Sequence, residues 1–365
     1  MVSILKHGQD SQFIPDVVQI GSTWQGTLSY LGQLMDLSDD PPTENLDDFI
    51  PILLESCHLQ SSRQLFSVPW FSDVRVLYYR KDILKKLNVT PKDFLTWEGF
   101  RQVLDKVKNS YSEKIFPLSL SGQSEHILIH DLAPWLWAAN SDFVDLATKK
   151  SLIDQPSFQK ATHFYFSLID DKYVPLMGRD QITYGNFFNG AAAFQVSGAW
   201  PALTIFDRES DEYESVVAKN FGIAPVPSLN PQIPSTTFIG GSHLAIMASS
   251  QKKEPAKKLI RFLTDKSNHE IHARKIGVLP VRKSSFNSDF FGEHWHGMGT
   301  HFELAIQNAR TLPSLPILGT IEQLVQKFTG ELLDAVRNEK YNEQLLDQLA
   351  KKTSKELDYI LSLYA

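Results

Sequence analysis

Ala192-Ala193-Phe194-Gln195-Val196-Ser197-Gly198-Ala199-Trp200 is the stretch whose reading decides the fold. A short apolar run ends in a turn of small residues, and an indole follows at once. Such a run, bounded by turn residues, reads as a buried strand. In an α/β sheet, the residue just past a strand of this kind stands at the sheet's carboxyl edge. Working outward, segments 16–21, 76–80, 115–120, 221–226 and 243–248 read as strands of the same character. Segments of helical period alternate with them. Trp97, Phe100, Val103, Leu104 and Val107 form one stripe, with Thr96 placed as its cap. Pro255 suits a helix start, and Ala256, Leu259, Ile260 and Leu263 continue the stripe behind it. Two long helices close the chain, one through Ile321, Leu324, Val325, Phe328, Leu332 and Val336, the other through Leu345, Leu346, Leu349, Leu357, Ile360 and Leu361. This alternation is that of an α/β protein whose sheets are flanked by helices.

The chain has 365 residues, too many for one compact core and enough for two of ordinary size. Its composition is globular, with 42% hydrophobic, 21% charged and 11% aromatic residues. The net charge of -6 argues against a nucleic-acid partner. The nearest thing to a basic run, Lys252, Lys253, Lys257 and Lys258, reads as a solvated helix face. Cys57 is the single cysteine, which excludes an internal disulfide and a cysteine-rich metal cage. It is expected as a small buried thiol on a helix. No apolar run is long enough to span a membrane. The start, Met1-Val2-Ser3-Ile4-Leu5-Lys6-His7, turns polar too soon for an export signal.

Proline and glycine punctuate 69–73, 225–241 and 292–299. Taken as crossings near 73, 236–238 and 291, they divide the chain into two lobes. The first comprises 1–72 and 239–290, the second 74–235 and 292–365. Repeated crossing suits a cleft that closes by bending at a few backbone positions.

Six segments, taken together and in order, carry a family resemblance. They are Pro15-Asp16-Val17-Val18-Gln19-Ile20-Gly21-Ser22-Thr23-Trp24, the run Val68-Pro69-Trp70-Phe71-Ser72-Asp73 continuing to Asp82, and Thr96-Trp97-Glu98-Gly99-Phe100. The 192–200 stretch, Gly240-Gly241-Ser242-His243-Leu244-Ala245-Ile246 and Gly277-Val278-Leu279-Pro280-Val281-Arg282 complete the set. The chain resembles the family-1 extracellular solute-binding proteins of bacterial carbohydrate importers. The resemblance implies a two-lobed, type II periplasmic-binding-protein fold, a sugar ligand and the transmembrane permease of an ABC transporter as partner. It further implies a monomer outside the cytoplasm, with no cofactor and no catalysis. Family members carry a signal, a strand, a helix and a second strand before the segment matching 15–24. Little chain precedes Pro15 here, so the first lobe is expected to lack its N-terminal strands.

A sugar presents apolar C–H faces and a rim of hydroxyls, so its site needs flat aromatic platforms beside a few directed polar groups. Trp24 and Trp200 each follow a strand and a turn, and the resemblance puts ligand-contacting aromatics at both. Trp135 and Trp137 are two apart on a helix, so one at most faces a ligand; Trp135 is the candidate, with helix packing its rival reading. Tyr184 and Asn186 are candidate polar contacts. Asp73 either accepts from hydroxyls or caps a turn. Gly241, with Gly240, permits close backbone approach or a hinge turn, and Ser242 adds a donor. Arg282 either reaches the ligand or forms an ion pair. Arg80 and Asp82 read as a structural pair.

Other chemistry is poorly supported. His294, His296 and His301 lie close enough in sequence for a zinc site, but their spacing matches no helical ligand pair. The phosphate-loop, dinucleotide and nucleophile-elbow motifs are all absent. The adjacent acids Asp47-Asp48 and Asp170-Asp171 read as solvated surface. A sensor, or a degenerate member binding another small solute, is the remaining alternative.

Overall fold

The structure, a computed structural model, describes residues 15–60, 62, 64–111, 114–120, 127–175, 187–205, 216–286 and 298–364. The chain divides into two compact units. Unit 1 holds Met1–Asp73, Ile239–Gly292 and Thr311–Gly319, and unit 2 holds Val74–Phe238, Glu293–Arg310 and Thr320–Ala365. The excursion at 311–319 differs from the sequence-based division, which left everything after 292 in the second lobe. Its cause is backbone packing. Ser314 O accepts from Gln60 N at 3.1 Å, and Pro316 O accepts from Thr27 Oγ1 at 2.9 Å. Gly26 lies against the Leu315 carbonyl with no room for a Cβ.

The strands among the described residues are β1 (Val17–Gly21), β2 (Val68–Val74), β3 (Val76–Arg80), β4 (Phe116–Leu120) and the short β5 (Val144–Asp145) and β6 (Lys150–Ser151). They continue with β7 (Ala192–Ser197), β8 (Phe221–Ala224), β9 (Thr237–Ile246) and the short β10 (Ala309–Arg310).

In unit 1, β1 runs antiparallel to β9, from Val17 opposite Ile246 to Gly21 opposite Ser242, and β2 also pairs with β9. Ile20, Leu28, Leu34, Leu59, Phe66, Ala245 and Met247 pack as one buried cluster. The strand expected at 243–248 begins six residues earlier, at Thr237, and runs through both glycines instead of turning at them. Helix Lys253–Thr264 is also rotated from the expected stripe. It buries Ala256, Ile260 and Thr264, which follow one another at i, i+4, and leaves Leu259 47% exposed. Asp265 caps the next helix, Lys266–Ile276, by accepting from Ser267 N at 3.1 Å, and Gly277 ends it at φ 69°.

In unit 2 the sheet order is β4-β7-β3-β8. β4 is parallel to β7, while β3 is antiparallel to both of its neighbours, β7 and β8. All five residues of the stripe on helix Trp97–Tyr111 are buried. Thr96 Oγ1 accepts from Gly99 N at 3.2 Å, as its capping role requires. Phe194 of β7 meets Phe94 and Phe100 edge-on at 5.2 and 5.4 Å, which joins that helix to the sheet. Arg80 and Asp82 form the expected pair through two 2.7 Å bonds. Helices Leu318–Arg337 and Glu343–Leu363 close the chain; Asn342 caps the second through Leu345 N at 2.9 Å. Among the described residues no helix is long and apolar enough to cross a membrane.

Candidate functional site

Each unit presents an indole at the carboxyl edge of its sheet. In unit 1, β1 ends at Gly21, opposite Ser242, and a 3-10 turn (Ser22–Trp24) leads into helix Gln25–Tyr30. Trp24 sits at that junction and is 37% exposed. Beside it on β9, Ser242 Oγ accepts from Gln19 Nε2 at 2.9 Å. Gly241 holds φ at +140°, and an added Cβ there would strike the Phe71 carbonyl and lie 2.9 Å from Ser72 Cα. The close approach thus brings the carboxyl end of β2, with the half-buried Asp73, next to Gly241. Trp24, Asp73, Gly241 and Ser242 therefore gather at one end of one sheet, where the chain's β1 and β2 both finish.

In unit 2, Val76 opposes Ser197 and Leu77 opposes Ala224, so β7 and β8 both end where β3 begins. β4 ends there too, with Leu120 opposite Val196. Past β7, the wholly buried Tyr78 donates its hydroxyl to Gly198 O at 2.7 Å and pins the turn. Trp200 opens the following helix, Trp200–Ile205, 43% exposed. Nothing in the sequence marked Tyr78 for this task, because its partner lies 120 residues away.

Two expected contacts belong to the interior instead. Trp135 is 0% exposed, with Phe100, Phe164 and Tyr165 rings at 6.4, 5.7 and 5.9 Å, so it fills the core of unit 2 and offers no face to a solute. Arg282 is 4% exposed, and its guanidinium lies 4.3 Å from the Phe49 ring centroid. It donates to Thr264 O at 2.8 Å, Thr43 Oγ1 at 3.2 Å, Glu44 O at 3.3 Å and Asp48 Oδ2 at 3.4 Å. That set stitches three segments of unit 1 together. Arg282→Ala is expected to cost about 3–5 kcal/mol, because it leaves buried acceptors and a carboxylate without their cation. Chemical denaturation measures this, and a wild-type midpoint would show the pair to be dispensable.

Tyr184, Asn186, His294 and His296 lie outside the described residues. His301 is exposed on helix Met298–Gln307. Among the described residues no three metal-ligating side chains are gathered. His301 instead helps line a pocket of about 290 Å³ beside β8, with Ile223, Pro225, Pro234, Leu304 and Asn308. Sequence could not foresee this pocket, since three separate segments build its wall.

Two buried imidazoles are expected to make unit 1 acid-sensitive. Burial pushes the His243 ring down to about 3 and the His269 ring down to about 4. Both are neutral in the native state, whereas an unfolded histidine titrates near ~6.5. Above that pH neither ring penalises folding. Between about 6.5 and 4 the unfolded chain binds protons that the native chain excludes, so stability falls with pH by about 1 kcal/mol per unit for each ring. The midpoint of urea unfolding is expected to drop from pH 7 to pH 5, and less steeply in His243→Gln. Equal slopes in the two proteins would remove His243 from this account.

Comparison with known proteins gives the family and the fold. The model of a family described as bacterial extracellular solute-binding protein matches residues 5–300. A probable ABC transporter-binding protein of Deinococcus radiodurans is 27% identical over 278 residues, 73% of this chain and 62% of that protein. The chain thus spans less than two thirds of that relative's length. The sn-glycerol-3-phosphate-binding periplasmic protein UgpB of Escherichia coli K12 is 22% identical over 318 residues, 83% of this chain and 70% of that one. Among solved structures, maltose-bound MalE3 of T. maritima is similar with a TM-score of 0.81 at 26% identity, covering 98% of this chain and 87% of that one. The fold is the two-lobed α/β fold of these binding proteins, and with its family model covering most of its length, the chain belongs to the bacterial extracellular solute-binding proteins.

Proposed function

We propose that this chain is the substrate-binding component of an ABC-type importer. It captures a mono- or oligosaccharide by hinge closure and hands it to the transmembrane permease subunits, without chemistry of its own. It works outside the cytoplasm, in the periplasm or anchored at the cell surface, as a monomer. The observation that carries the reading is the placement of the two indoles. Among the described tryptophans, Trp24 and Trp200 are the exposed ones, and each follows a strand at the carboxyl edge of its own sheet. That is where an α/β sheet receives ligands, and an exposed ring there suits the apolar face of a sugar. In this reading Asp73 and Ser242, at the same end of that sheet, serve as hydroxyl partners. A hydroxyl that fails to meet its partner on closure leaves a buried polar group unpaired, which is how such a site selects.

The relatives' names differ in solute, one binding a phosphorylated polyol and another maltose, so the test spans both classes. A thermal-shift screen would use mono-, di- and oligosaccharides together with sn-glycerol 3-phosphate. A solute that binds only the native state stabilises it by about 2.7 kcal/mol at one hundred times its Kd. One sugar raising the melting temperature in a dose-dependent way is the expected result. A response to sn-glycerol 3-phosphate alone, or to nothing, would sink the sugar reading.

A further inference from the structure

Beneath Trp24 lies a chain of buried polar groups that a binding platform does not by itself need. Gln25 follows Trp24 directly and is wholly buried. Its Nε2 donates to Cys57 O at 2.9 Å and to Ser29 Oγ at 3.0 Å. A carbonyl only accepts, so the amide's orientation is fixed, and Oε1 is the acceptor turned toward Ser67. The Ser67 hydroxyl donates to it at 2.8 Å. The Ser56 hydroxyl is likewise committed, donating to Leu53 O at 2.7 Å. His243 lies between the two hydroxyls, with Nδ1 3.3 Å from Ser67 Oγ and Nε2 3.1 Å from Ser56 Oγ. A neutral imidazole carries one N–H, so the ring donates to one hydroxyl and accepts from the other, whose proton is then shared between two acceptors. The frame thus ties β9, the start of β2 and helix Pro51–Glu55 to the first residue of helix Gln25–Tyr30.

Trp24 itself has few means of being held. More than a third of it is exposed, and as the residue preceding the helix it makes no side-chain cap. Its direction therefore follows the backbone at Trp24–Gln25, and three side-chain hydrogen bonds of Gln25 fix that backbone. We propose that Gln25, Ser67 and His243 are positioning residues, a buried relay that sets where the Trp24 indole stands. The relay matters for solute capture through the reading of Trp24 as a platform, on which it rests.

The test needs no solute. Protein labelled with 5-fluorotryptophan gives fluorine resonances for its seven tryptophans, and Trp24→Phe identifies the one from Trp24. In Ser67→Ala and Gln25→Met the Trp24 resonance is expected to shift and broaden while that of Trp200 stays in place. Ser67→Thr, which keeps the hydroxyl, is expected to restore it. A Trp24 resonance unmoved in folded Ser67→Ala protein overturns the proposal. So does a general movement of all resonances, since that marks a merely structural role. Should Gln25→Met fail to fold, Ser67→Ala decides alone. Maltose titration of Trp24→Ala asks separately whether Trp24 is a platform, so either idea can fail without the other.

Discussion

Gly241→Ala is expected to melt well below the parent protein, by an amount near ten degrees. The residue lies inside β9 at φ +140°, a region that is essentially reserved for glycine. Moving an alanine there costs about 1–3 kcal/mol in backbone strain alone. The new Cβ would also strike the Phe71 carbonyl and crowd Ser72 Cα at 2.9 Å. Both are backbone atoms of β2, so no flexible side chain can swing away, and overpacking of this kind adds about 1–3 kcal/mol. The sum, about 2–6 kcal/mol, is a large part of the stability of an ordinary domain. A change of 1 kcal/mol moves the melting temperature of a domain this size by about 2–4 °C. Alanine at Ser242, the next residue, carries no such strain and is expected to change melting by far less. Equal melting of Gly241→Ala and the parent would show that β2 and β9 can separate without loss.

The same glycine shows what the sequence could and could not disclose. Gly240-Gly241 reads as either close approach or a hinge turn; sequence alone leaves the choice open because both need a missing Cβ. The decision is made by Phe71, which only the pairing of β2 with β9 brings near. Where local pattern decides, the reading is close: β7 runs over the residues that a short apolar run and its closing turn mark, and Thr96 caps the helix it precedes. Where distant residues decide, it is not. Leu259 and Thr264 differ in burial opposite to their hydropathy, because Thr43 Oγ1 accepts the Thr264 hydroxyl at 3.1 Å from across the unit. Arg282 reads as a surface or ligand-facing cation until Thr43, Glu44, Asp48 and Thr264 are folded around it. The return at 311–319 did leave a trace, Pro313 and Pro316 within a short run, but proline says only that the chain is extended, not what it lies against.

The candidate site follows the same division. The exposed positions of Trp24 and Trp200 past their strands were legible because a strand, a turn and an indole are consecutive in sequence. Trp135 was not, since a tryptophan on a helix looks alike whether it faces a ligand or Phe100 and Tyr165. Gln25, next to Trp24, and Tyr78, whose hydroxyl holds the turn before Trp200, were silent for a further reason. Glutamine and tyrosine are ordinary surface residues, and their value here comes from partners 32, 42 and 120 residues distant.

Trp200→Ala is expected to weaken binding of the sugar that responds most strongly in the thermal screen by about 30- to 1,000-fold. That range corresponds to the roughly 2–4 kcal/mol that a central aromatic anchor contributes to an interface. The ring is 43% exposed, so a substantial part of its apolar surface remains for a solute to cover. For the same reason the unit depends on it less than on Trp135, and the variant is expected to keep its fold, with stability changed by about 1 kcal/mol or less. Trp200→Phe separates the sources of the effect: a smaller flat ring keeps part of the stacking, so its loss is expected to fall between those of the parent and the alanine variant. Tyr78→Phe provides a second check. It removes the hydroxyl that holds Gly198 O, worth about 1 kcal/mol to the fold. If the turn it pins is what aims the indole, affinity falls in Tyr78→Phe even though Tyr78 is wholly buried and touches no solute. Calorimetry on the three variants gives the answer. Unchanged affinity in Trp200→Ala removes Trp200 from the site; a loss there with none in Tyr78→Phe keeps the platform and discards its support.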